Sequence, residues 1–293
     1  MHEFLQLFTY GFFRNALLTA LFASITGGVI GTYVVTRRIV FISGGITHAS
    51  FGGIGLAFLL GFNPLLGATL FAVFSALGIQ FFSHKVHIRE DSSIAIWWSL
   101  GMALGIIFVF LTPGYTPNLM SYLFGNILTV TRNELWMMLI LGVVLLSFFQ
   151  LFFRKILYIS FDEEFARASG LPVSLFNYLM ITLVALVVVL NIRAVGIILV
   201  LSLLTVPQAA ANLFTKDFRE MMLLSAGIAM AGTISGLLFS FYLDIPSGAT
   251  IIFTLIFLFG ILRLIRLLWV NKPLPDRLKR VSDRAINNPQ TDN

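Results

Sequence analysis

The residue in this chain best placed for chemistry inside an apolar stretch is His48. Between Arg38 and His84 it is the only His, Asp, Glu, Lys or Arg. A neutral imidazole ligates zinc and other first-row metals through either ring nitrogen. Gly44 and Gly52 flank His48 at a spacing of four, which leaves room around the ring for a metal, a water or a neighbouring helix. On the adjacent row Gly45, Ala49, Gly53 and Ala57 recur every fourth residue and make a smooth face for close helix approach. From the residues alone two readings stand: a metal pathway, or a histidine that hydrogen-bonds across helices and fixes packing.

A second stretch, RKILYISFDEEFARASGLPV from Arg154, carries the densest acid. Asp162, Glu163 and Glu164 suit the first turn of a helix, and Phe165, Ala166, Ala168 and Leu171 follow at helical spacing. Gly170 and Pro172 end it, as a C-terminal glycine and a stop signal do. The spacing predicts a short amphipathic surface helix, either a solvated linker or a docking helix for a partner groove. Further along, Pro207 lies within an apolar run and predicts a kink, with Ser202, Thr205, Gln208 and Asn212 near it for interhelical hydrogen bonds. Asp244, Pro246 and Gly248 form a tight turn with one carboxylate, either a partner contact or a cap for the next helix. His84 and His87 sit in the basic loop SHKVHIRED and read as solvated rather than metal-binding. Trp97, Trp98 and Trp136 fall near the ends of apolar stretches and read as interfacial anchors.

The elements that position these residues follow from composition. Of 293 residues 58% are hydrophobic and only 11% charged, with 30 Phe, which excludes a soluble globular domain and a disordered chain. There is no Cys, so neither disulfides nor thiolate metal sites exist. The charged residues cluster between long uncharged stretches. These predict transmembrane helices over 14–36, 44–61, 64–83, 92–112, 134–153, 172–191, 194–214, 220–242 and 247–269. That makes nine spans, or eight if the Gly-rich second one is re-entrant. Strands are excluded because lipid leaves open edges unsatisfied, and a barrel because the segments do not alternate. The expected fold is therefore an all-α polytopic membrane helix bundle over 1–270, with a polar, disordered C-terminal tail over 271–293.

Alternating the connections puts 16 of the 19 basic residues on one side, leaving Arg14, Arg132 and Arg193 on the other. The positive-inside rule places that basic side, and the C-terminus, in the cytoplasm of a cell (inner) membrane protein. The net charge of +6 thus marks a membrane face rather than a nucleic-acid partner. Met1 to Tyr10 carries no basic region and no cleavage site, so no removable signal peptide is expected. GxxxxGK[ST], HExxH and GxSxG are all missing, and no carboxylate is expected mid-membrane to tap an ion gradient. Energy for uphill transport would come from another subunit.

At these residues the chain resembles the permease subunits of metal-type ABC importers. The resemblance rests on THASFGG at 47–53, SYLFGNIL at 121–128, FDEEFARASG at 161–170, RAVGIILVLSLLTVPQAAAN at 193–212 and YLDIPSGA at 242–249. It implies a homodimer resting on cytoplasmic ATP-binding subunits, with an extracytoplasmic metal-binding protein as third partner. It also implies no permanently bound cofactor, a divalent metal as transported substrate, and ATP used by the partner subunit. Asp162, Glu163, Glu164, Phe165, Ala166 and Gly170 would belong to the helix that couples to the ATPase. Gly44, Gly45, Ala49, Gly52, Gly53 and Pro207 would line the pathway or pack it, and His48 would meet the metal. The family places an Asp four residues before that His, where this chain has Gly44. An imidazole without a carboxylate suits zinc, so zinc is expected, with manganese or iron as alternatives. A gradient-driven carrier and a non-transporting scaffold are the remaining readings.

Overall fold

The computed structural model describes residues 9–114 and 125–270. The signal-peptide reading of Met1–Tyr10, most of the SYLF segment and the 271–293 tail lie largely or wholly outside that range. The described chain runs α1 Gly11–Thr36, α2 Val40–Leu60, α3 Pro64–His84, α4 Glu90–Leu111, a 3₁₀ turn Ile127–Thr129, α5 Arg132–Phe161 and α6 Glu163–Ala168. It continues through α7 Val173–Val195, α8 Ile197–Leu203, α9 Val206–Ala211, α10 Phe218–Leu243 and α11 Ser247–Val270. The fold is an all-α polytopic bundle, as the composition requires.

Eight of these helices are long and apolar enough to cross a membrane: α1 to α5, α7, α10 and α11. The Gly-rich second segment is a full helix of 21 residues rather than a re-entrant piece. The segment that fails to form one continuous helix is the seventh, expected over 194–214. Gly196 adopts φ 85°, ψ 162°, a conformation open to glycine and costly for other residues, so α7 ends there. Leu204 and Thr205 then separate α8 from α9, and Pro207 sits in the first turn of α9. Proline has no N–H to give and its ring suits a first turn. It starts a half-helix here, where the sequence suggested a kink.

The broken segment still travels from one end of the bundle to the other. At one end Asn15 Nδ2 donates to Val130 O at 3.1 Å, and Gly125 packs backbone to backbone against Val195 and Gly196. At the opposite, arginine-rich end Arg37 Nη1 donates to Ile159 O at 2.8 Å. Phe218, the first residue of α10, meets Phe153 and Phe161 edge-on at that same end, with ring centroids 6.0 and 6.5 Å apart. Residues 196–217 therefore make a ninth traverse, in two short pieces.

The bundle is knitted by small residues where backbones meet, as expected where lipid removes the hydrophobic drive for helix association. α2 lies between α3 and α4. A methyl group on Gly53 or Gly67 would overlap the other residue's carbonyl. One on Gly101 would overlap the Ala49 backbone, and one on Gly55 would lie 2.5 Å from Gly105 O. The sequence row Gly45, Ala49, Gly53, Ala57 is this packing surface. Phe71 closes over Gly52 in the same layer.

Trp97 departs from its expected role as an interfacial anchor. It is 7% exposed and packs edge-on to Phe74 at 5.1 Å and across Gly78, so it is core. Trp136, 62% exposed near the start of α5, fits the anchor role.

Candidate functional site

Two clusters bring the candidate residues together. The first surrounds His48, near the middle of α2. The imidazole lies flat on the Trp98 indole, with centroids 4.1 Å apart and planes 6° from parallel. Its Nδ1 is buried and has no hydrogen-bond partner among the described residues, so the cross-helix hydrogen bond expected of a packing histidine is not made through that nitrogen. Trp98 comes from α4, whose close approach to α2 at Gly101 brings the indole over the ring.

Gly44, one turn before His48, points at the same neighbours. A Cβ there would sit 3.5 Å from Leu201 Cδ2 and 4.0 Å from Trp98 Cζ3, ordinary contact distances. The pocket therefore has room for the first atom of a side chain that this chain lacks. Leu201 belongs to α8, so the broken traverse reaches the His48 face. On its other side the traverse is anchored by Gln208, fully buried, whose Nε2 donates to Gly27 O at 2.8 Å and Leu203 O at 3.1 Å. Gly31 leaves the space that this amide fills. The interhelical hydrogen bonding expected near Pro207 is thus carried by Gln208. Thr205 bonds locally to Leu201 O, and Asn212 accepts from Lys216.

The second cluster is the surface helix α6. Asp162 caps it, its Oδ1 accepting from Phe165 N at 2.8 Å. Gly170, φ 77°, turns the chain into α7. Six residues of helix give two faces. Glu164, Phe165 and Ala168 are exposed, and the Phe165 ring, 57% exposed, leans on the exposed Tyr158. Ala166 is fully buried, so it packs against the bundle and cannot itself meet a partner.

Glu163 also turns inward. Its Oε2 accepts from Arg37 Nη2 at 2.9 Å, and its Oε1 accepts from Asn177 Nδ2 at 3.2 Å and Arg167 Nη2 at 3.3 Å. Burial by itself raises the Glu163 carboxyl, but the Arg37 hydrogen bond and charge, with smaller help from His84 and Asn177, outweigh it. The group is held below the usual carboxylate range. The cluster closes a small chamber of about 50 Å³ that Tyr33, Gln80, His84 and Glu90 also line. A wider cleft of about 570 Å³ lies beside it, between Glu163, Arg167 and the start of α7.

His84 lines both spaces, and among the described residues no group of three or more His, Asp or Glu is placed to hold a metal. Asp244 closes the end of α10 in the left-handed region with φ 53°, exposed beside Pro246, where the sequence suggested a cap for the next helix. Gly248 lies in the first turn of α11. Sequence reasoning passes over Arg37, Asn177 and Leu201, and takes Trp98 for an interfacial anchor rather than a neighbour of His48. Arg37 was legible only as one more positive charge, although Asn177, a lone amide early in an apolar run, signals a polar partner at that depth.

Comparison with known proteins places the chain in a family. The ABC 3 transport family matches residues 9–265. An uncharacterised membrane protein of Synechocystis is 41% identical over 247 residues, covering 84% of this chain and 88% of its own length. The manganese transport system membrane protein MntC of Listeria innocua is 36% identical over 260 residues, covering 87% of this chain and 92% of its own. Among solved structures, PsaBC from Streptococcus pneumoniae in complex with Fab superposes with a TM-score of 0.79 at 32% identity, over 89% of this chain and 94% of that one. The motifs, the helical order and these likenesses agree: the chain belongs to the ABC 3 transport family and is a permease subunit of a metal-type ABC importer.

Proposed function

We propose that this permease forms, as a homodimer, the membrane passage of an ATP-driven importer for a divalent first-row metal ion. The passage runs along the face of α2 that carries His48. The observation that carries this reading is the His48 cluster: an imidazole near the middle of a span, with one nitrogen buried and unbonded, at the meeting point of α2, α4 and the broken α8–α9 traverse. Keeping an ionisable group at that depth is costly and marks ion pathways. The arginine-rich end faces the cytoplasm, where an ABC ATPase seats on the exposed face of α6. The opposite end, with Asp244, Pro246 and Gly248, receives a metal-binding protein.

Two cargoes are favoured by different observations. Manganese is the metal in the name of the Listeria relative. Zinc is favoured by the donor set, because Gly44 leaves the imidazole without the carboxylate that attracts harder cations. The test is ATP hydrolysis by the complex reconstituted with its ATPase and binding protein, run with zinc, manganese and iron. His48→Ala is expected to remove metal transport. Gly44→Asp, whose Cβ would meet only ordinary contacts there, is expected to shift preference toward manganese. Unchanged metal uptake in His48→Ala refutes the pathway.

A further inference from the structure

Glu163 and Glu164 are adjacent acids on the surface helix, yet only Glu164 is available to a partner. Glu163 is one corner of a four-way junction. Its carboxylate joins α6 to Arg37, which caps the end of α1, and to Asn177 in the first turns of α7. Arg37 also holds the last turn of α5 through Ile159 O at 2.8 Å. Only Arg38 and Ile39 separate Arg37 from α2, and Arg38 is forced into the left-handed region with φ 61°. A push on α6 therefore arrives within three residues at the start of the helix that carries His48. That helix cannot absorb the push by sliding, because its backbone is seated on Gly67 of α3 and on Gly101 and Gly105 of α4. The side chains of the ion pair are only 20% and 23% exposed, so water competes weakly for either partner.

We infer that the Arg37–Glu163 pair is the strut that transmits ATPase movement to α2, and that Glu163 is a positioning residue for coupling rather than a docking residue. The inference rests on the reading of α6 as the ATPase seat. Contiguous hydrogen-bonded and packed groups with defined partners are the kind of connection through which distant sites bias each other.

The test uses the full chain co-expressed with its ABC ATPase subunit and assayed with the metal-loaded binding protein. The readouts are the stoichiometry of the copurified ATPase and the metal-stimulated increment of hydrolysis, each variant normalised to its own unstimulated rate. Arg37→Gln and Glu163→Gln are each expected to retain the ATPase subunit at wild-type stoichiometry. Each is expected to lose at least about fivefold of the stimulated increment, the lower end of ordinary coupling between sites. The double variant is expected to lose no more than either single one, because both break one link. Glu164→Lys is expected to release the ATPase. Wild-type stimulation in either glutamine variant overturns the inference, as does loss of the ATPase from Glu163→Gln but not from Arg37→Gln. Should a glutamine variant fail to fold, Asn177→Ser removes one brace of the same carboxylate and must lower the stimulated increment in the same direction. A wild-type chain that binds no ABC ATPase refutes the underlying reading instead.

Discussion

Neighbouring side chains of one type take opposite roles here because a short helix has two faces. Asp162, Glu163 and Glu164 look equivalent in the sequence. Folded, Asp162 caps the helix, Glu163 is locked to Arg37, Arg167 and Asn177, and Glu164 faces solvent. The consequence for pH has a definite sign. The Glu163 carboxyl titrates lower in the folded protein than its ordinary value of 4.5. A depressed acid contributes stability above its unfolded value and loses it as pH falls through the folded one. The thermal midpoint of wild type is therefore expected to exceed that of Glu163→Gln at pH 7. The gap should close progressively below about pH 4.5, measured by scanning fluorimetry in detergent. A gap constant down to pH 3.5 contradicts the assignment. Sequence reasoning singled out His48 and the acidic run. It missed their partners because Arg37 lies 126 residues from Glu163 and Trp98 lies on a different helix from His48, while Asn177, 14 residues from Glu163, is brought back by the turn at Gly170. Trp98 was read as an interfacial anchor, since an indole at a span end carries the same signal whether it meets lipid or an imidazole.

At the scale of elements, apolar length predicted eight of the helices well, because lipid leaves few alternatives to a continuous helix. It failed at the seventh stretch for a local reason. The run 194–214 is apolar enough to span, and hydropathy does not register that Gly196 turns left-handed or that Pro207 starts a new turn. The Gly-rich α2 raised the opposite doubt and proved continuous, since its glycines are spent on close contacts with α3 and α4 rather than on bends. Gly196→Ala forces a Cβ into a conformation that costs about 1–3 kcal/mol, so a lower thermal midpoint is expected. Gly142→Ala is the control: it lies within α5, where a Cβ meets only Thr26 Cγ2 at 3.7 Å, and little change is expected. Equal behaviour of the two variants would refute the strain at Gly196.

At the scale of the whole molecule, the two-piece traverse decides which loops share a side. With nine traverses among the described residues, Lys216 lies at the arginine-rich end and Asp244 at the opposite one. The absence of native Cys makes this directly testable. In intact cells a membrane-impermeant thiol reagent is expected to label Asp244→Cys. Lys216→Cys should react only after permeabilisation. Labelling of both from outside contradicts the crossing of 196–217 and the sidedness together. The expected sidedness rests on the asymmetry of Lys and Arg alone, 16 of 19 of which fall on one side.

α5 is 30 residues long, about 45 Å at helical rise, against roughly 30 Å of bilayer hydrocarbon. It loses helical geometry at Phe152, just before Arg154 and Lys155, and its remaining turns run on to α6. On the proposal that α6 seats the ATPase, the surplus length is a stalk that holds that seat clear of the acyl chains. A thicker membrane draws that stalk inward and a thinner one exposes more of it. On the same proposal, the lipid tails around the protein help to set the height at which the permease meets its ATPase.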